Sequence, residues 1–117
     1  MDSHTDNNFI SLLLPEGLLS YFNLSHYTIS GQEVCLYLDE NNEVPDEYRN
    51  DKLQSKGFFD EITVQDFPLR GKAVFLHIRR RRWLNQTTGE IVFRDWNMVA
   101  KGTRMTKEFA SFLKAIS

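Results

Sequence analysis

Five consecutive residues carry the chain's most concentrated chemistry: Arg79-Arg80-Arg81-Arg82-Trp83. Four guanidiniums beside an indole suit phosphate and bases. Arginine presents a planar fork that matches phosphate oxygens, and backbone charge dominates affinity for DNA. Tryptophan can stack on a base or on an arginine. Successive side chains of a strand point to opposite faces. Arg79, Arg81 and Trp83 therefore share one face, and Arg80 and Arg82 the other. Lys72, Arg94, Lys101, Arg104 and Lys107 extend the basic field. The competing reading is a charged strand end whose arginines pair with acidic residues of the first half, since short basic runs are common. A second candidate is the start of the last helix, where Lys101, Arg104 and Lys107 surround an N-terminus suited to phosphate. An ordinary capped helix explains the same residues.

Other chemistry finds less support. His4, His26 and His77 are scattered, with no spacing that suits a metal. Gly57, Gly71 and Gly89 stand apart and build no phosphate loop. Cys35 is the one cysteine, so an intrachain disulfide and a cysteine-based zinc knuckle are both excluded. It lies in an apolar run and reads as a buried small residue. Asp39, Glu40, Glu43, Asp46 and Glu47 read as the solvated face of a loop, from which no catalytic pair can be chosen. No enzyme signature emerges, and no metal or cofactor is assigned.

These residues must be positioned by a small set of elements. Pro15 suits a first helical position, and Leu18, Leu19 and Phe22 share a face, so a short helix is expected from about 15 to 22. Tyr27 and Ile29, a turn at Gly31-Gln32, and Val34, Leu36 and Leu38 predict a hairpin. Residues 43–55 read as a charged surface loop with a helical turn after Pro45. Ile62 and Val64 suggest a strand ended by Pro68. A turn over Leu69-Arg70-Gly71-Lys72 follows, with Gly71 permissive. Residues 73–84 form the longest strand candidate. Residues 85–89 turn the chain and 91–94 return it. Thr106 can cap a final helix in which Phe109, Phe112, Leu113 and Ile116 share one face. That face either packs back on the sheet or awaits a longer protein.

The expected fold is α+β: an N-terminal helix, a small antiparallel sheet with a zinc-free ribbon-like hairpin, and a C-terminal amphipathic helix. At 117 residues the chain has room for one domain, with residues 1–12 expected to be flexible. The net charge of −2 conceals a division. Residues 13–66 with the start of the chain carry three basic against thirteen acidic groups, a balance of −10. Residues 67–117 carry eleven against three, a balance of +8. Such asymmetry points to a nucleic-acid or acidic partner, or to an acidic segment that masks a basic one. The longest apolar run, 9–14, is too short to span a bilayer, and the first six residues lack a signal peptide's positive start. A cytoplasmic location is expected.

Residues 62–83, Ile-Thr-Val-Gln-Asp-Phe-Pro-Leu-Arg-Gly-Lys-Ala-Val-Phe-Leu-His-Ile-Arg-Arg-Arg-Arg-Trp, resemble a phrase in the N-terminal region of bacterial insertion-sequence transposases of the DDE type. Asp66, Pro68, Gly71, Val74, Leu76 and Arg80 to Arg82 sit where that phrase requires them. The stretch 99–106 with Phe109 resembles the approach to the family's helical domain, and 13–19 the opening of a subgroup with a separate short reading frame. The family's ribbon has paired cysteines after the arginines; here residues 84–89 contain none, so Trp83, Phe93 and Trp96 would have to hold the shape by packing. The resemblance implies transposition of a mobile element by DNA recombination. It implies a region that helps bind the terminal repeats, with catalysis in a separate polypeptide or a frameshifted fusion. DNA and a catalytic transposase polypeptide are the implied partners, and a homodimer is compatible with it. The DDE catalytic domain is not expected within so short a chain.

A rival reading is a protein–protein module that docks on a catalytic subunit through its acidic half and last helix. The two readings differ in one observable. Either Arg79 to Arg82 form one continuous exposed surface, or they pair with carboxylates such as Asp60, Glu61 and Asp66.

Overall fold

The computed structural model describes the backbone of residues 12–102 and 107–116, and the side chains of 12–99 and 109–116. Seven strands build two sheets. The first has the order β1(Phe22–Ser30), β2(Glu33–Glu40), β5(Lys72–Arg79), β4(Ile62–Leu69). Its pairs are antiparallel except β2 with β5, which is parallel. The second is antiparallel and has the order β3(Leu53–Phe58), β6(Arg81–Asn85), β7(Ile91–Phe93). Helices α1(Trp96–Gly102) and α2(Lys107–Ile116) follow. The architecture is α+β and mostly β.

Alternation along β2 and β5 creates the main core. Val34, Leu36 and Leu38 meet Val74, Leu76 and Ile78 in register, and all six are buried. Fully burying an aliphatic side chain of this size contributes about 1.5–3 kcal/mol. Phe109, Phe112, Leu113 and Ile116 of α2 join the same core, as do Leu18, Phe22 and Trp96. The apolar face of the last helix is thus packed on the sheet. Trp96 stacks on Phe22 with ring centroids 5.3 Å apart. Helix α1 starts from Asp95, whose Oδ1 accepts the backbone N–H of Asn97 at 3.0 Å, a side-chain cap.

The turns match the sequence reading. Gly31-Gln32 joins β1 to β2. Arg70-Gly71 joins β4 to β5 with φ of 53° and 79°. Two positive φ values in a two-residue connection are the requirement of a type I′ hairpin, whose twist suits the flanking strands.

Four elements differ from expectation. The helix expected over 15–22 is a 3-10 turn over Leu18–Ser20, and Phe22 already belongs to β1. The loop expected over 43–55 contains the turn after Pro45, at Asp46–Tyr48, but its end enters β3. The strand expected to stop at Pro68 runs to Leu69. Edge position explains the tolerance, because β4 needs no N–H from Pro68 on its open side. The single strand expected over 73–84 is two, which part at Arg80 and enter different sheets.

Gly17 shows how closely α2 sits. Its φ is 96°, and a β-carbon there would lie 3.1 Å from Phe109 Cδ2. Gly17→Ala is expected to lower stability by about 1–3 kcal/mol through backbone strain and crowding. Gly57→Ala has similar strain, at φ 77°, but meets no atom within 4 Å. Thermal unfolding should therefore rank the glycine-17 variant below the glycine-57 variant.

Candidate functional site

The four arginines occupy the joint where the chain leaves the first sheet for the second. Strand parity sorts them. Arg79 faces Asp39 in the β2–β5 register and donates from Nε and an Nη to its two oxygens at 2.7 and 2.8 Å. That bidentate pairing raises the Arg79 guanidinium above its ordinary value. Arg81 donates its backbone N–H to Glu40 Oε1 at 2.8 Å, its Nε–H to the Glu40 carbonyl and its Nη1–H to Ser55 Oγ. Arg94 takes the other Glu40 oxygen, donating from Nε at 2.9 Å, and reaches the Glu43 carbonyl.

Glu40 is 1% exposed. Burial pushes its carboxyl above the usual range, against the opposing pull of the Arg81 N–H and the Arg94 guanidinium. The acidic partners of the run are therefore Asp39 and Glu40, about forty residues upstream. Glu61 Oε2 lies 3.2 Å from His77 Nδ1, and its charge adds a weaker pull on Arg79.

Two consecutive phenylalanines repeat the sorting. Phe58 lies under Arg79 and Arg81, with guanidinium carbons 4.2 and 4.5 Å from the ring centroid. Phe59 lies under Arg80 and Arg82 at 5.4 and 5.9 Å. Arg82 also donates to the Lys56 carbonyl, while Arg80 Nε is buried with no hydrogen-bond partner among the described residues.

The second sheet consequently has two unlike faces. The inner face holds Trp83, Asn85 and Val92, all buried. Residues 41–51 supply its cover. The Trp83 indole N–H donates to Asn42 Oδ1 at 2.9 Å, and the Asn85 amide donates to Asp51. A base cannot reach Trp83, which is 1% exposed; its role is core. The outer face pairs Arg82 with Phe93 and Leu84 with Ile91 and Gln54. Ile91 and Phe93 are 47% and 53% exposed. Phe59 meets Phe93 edge to face, with centroids 5.4 Å apart.

The remaining candidates separate from this face. Lys72 donates to the Gly31 carbonyl at the far end of β5. The side chains of Lys101 and Lys107, and Arg104 entirely, lie outside the described residues. Of the three aromatics expected to hold the hairpin, Trp83 is buried within the second sheet, Phe93 is about half exposed and Trp96 belongs to the first sheet's core. Cys35 is half-buried on the first sheet's open face.

Two histidines scattered in the sequence converge on that open face. His26, Tyr37 and His77 stack across three strands, with centroid separations of 4.1 and 4.5 Å. The shared register of β1, β2 and β5 places them in one row. His77 Nδ1 also lies 3.2 Å from Thr63 Oγ1, and its Nε2 is buried without a partner among the described residues. Among those residues no group of three or more His, Cys, Asp or Glu could hold a metal. No helix among them is long and apolar enough to cross a membrane.

No family model, no curated protein and no solved structure matches the chain.

Proposed function

We propose that the chain is a DNA-binding module that works as the non-catalytic, cytoplasmic N-terminal region of an insertion-sequence transposase. In this reading it helps hold the terminal repeats while a separate polypeptide supplies catalysis. The observation that carries the proposal is the outer face of the second sheet, where Arg80 and Arg82 stand beside Phe59 and Phe93. The three strands of that sheet contain Lys56, Arg81 and Arg82 and no Asp or Glu. Positive charge on strands that carry no carboxylate of their own favours contact with phosphate. The transposase context rests on the phrase at 62–83, and the three-stranded sheet sealed by Trp83 takes the place of a zinc ribbon.

Arg80→Ala with Arg82→Ala tests the reading. Titration of a terminal-repeat DNA across salt concentrations should show binding at low salt that weakens in the double variant. Its slope of log affinity against log salt should fall by about 2, one contact per arginine. Unchanged binding and slope would exclude this face. Arg79 and Arg81 are unsuitable probes, because loss of the first unpairs Asp39 and loss of the second removes the donors to the Glu40 carbonyl and Ser55 Oγ that join the two sheets.

A second reading is favoured by that same pairing. Arg79, Arg81 and Arg94 are held internally by Asp39, Glu40 and backbone carbonyls, as a docking module for a catalytic polypeptide would allow. It predicts co-purification with that polypeptide and no affinity for DNA.

A further inference from the structure

Resting on the DNA-binding reading, we infer that the outer face of the second sheet takes an unpaired DNA strand in preference to duplex. The face is built from ring and alkyl surface at its centre and charge at its margin. Phe93 and Ile91 are about half exposed, and Arg82 stands opposite Phe93 in the β6–β7 register. In a duplex, base faces are stacked inside and phosphates lie outside. Exposed phenyl and isoleucyl surface gains nothing from a phosphate wall. Unpaired bases offer π-faces to such rings, and stacking tolerates any sequence.

The supply of cations leads to the same conclusion. Duplex binders neutralise many phosphates. Here the pairing of Arg79 with Asp39 and of Arg94 with Glu40 leaves Arg80, Arg82 and Lys56 for a ligand. Three cations beside exposed aromatics suit a short single-stranded segment. The five residues of β6 extend about 17 Å, and three strands span about 10 Å. That area accommodates about two or three bases.

The other open sheet face does not compete. It carries Tyr37, His77 and Phe75, but its one guanidinium among the described residues, Arg79, is taken by Asp39, while Glu33 lies on it and Glu61 borders His77, so the remaining charge repels phosphate.

Fluorescence anisotropy with the full chain tests the inference, using a labelled oligothymidine and a hairpin duplex of equal length at low salt. Oligothymidine should bind about tenfold tighter. Phe93→Ala should weaken oligothymidine binding about tenfold or more while leaving the duplex unchanged. Phe93→Trp should retain the preference. Equal or tighter duplex binding, or indifference to Phe93→Ala, overturns the inference and leaves the DNA-binding reading standing. Failure to bind either DNA overturns both. Phe93 is half exposed at the end of an edge strand, and circular dichroism confirms that the variants remain folded.

Discussion

Glu40→Ala should remove about 3–5 kcal/mol of folding stability, the cost of breaking a buried ion pair from one side. The Arg94 side chain is 11% exposed and its partner Glu40 1%. Without the carboxylate, the Arg94 guanidinium loses its charged partner and keeps the Glu43 carbonyl and the Tyr21 and Trp96 rings, and the Arg81 backbone N–H loses its acceptor. A domain of this size commonly has 5–15 kcal/mol in total, so much of the population should unfold under conditions the parent chain tolerates. Urea denaturation measures the difference; a loss under about 1 kcal/mol would show that water replaces the carboxylate. The same group has a pH signature. Burial raises the Glu40 carboxyl above its ordinary 4.5, so the folded chain keeps a proton that the unfolded chain has released. Its contribution is complete below about 4.5 and is lost as pH rises through the raised titration. Glu40→Gln should lack that decline, and a rise over the same window in the parent chain would reverse the assignment.

Trp83→Ala should cost about 3–5 kcal/mol as well, because the indole is fully buried and fills the small inner face of the second sheet. The damage should be local. Trp83 lies outside the cluster that joins the first sheet to α2. Hydrogen exchange is expected to accelerate in β3, β6 and β7 before β2 and β5. The variant keeps Trp96 as its single tryptophan, stacked on Phe22 in the main core, and its emission should remain native. Loss of the Trp96 signal together with the second sheet would show that the sheets unfold as one.

What the sequence revealed follows the range of the interactions. Gly31, Gly71 and Gly89 marked turns, since turn chemistry is local. The last helix was visible because Phe109, Phe112, Leu113 and Ile116 recur at helical spacing. Leu18, Leu19 and Phe22 misled for the same reason: a 3-10 turn followed by a strand can bury them as well as a helix does. Strand β3 was hidden by Gln54, Ser55 and Lys56, polar residues at a sheet edge. Four identical residues have no period, so the break at Arg80 left no mark. The division of the run into two faces was legible from alternation. The partners were not, because Asp39 and Glu40 meet the arginines across about forty residues. Asp95 was a local signal for α1 that the periodicity search passed over.

The parity of the joint bears on how this sequence can change over generations. Asp39-Glu40 and Phe58-Phe59 are adjacent pairs, and within each pair the two members serve different arginines. Exchanging one residue type at any of these positions alters that residue's own contacts and leaves the register of the strands in place. Inserting or deleting a single residue between Arg79 and Trp83 shifts the second sheet's strand by one position, which turns Trp83 outward and puts Arg82 or Leu84, respectively, in its sealed place. Lineages descending from this chain should therefore drift in composition along the arginine run while conserving its length.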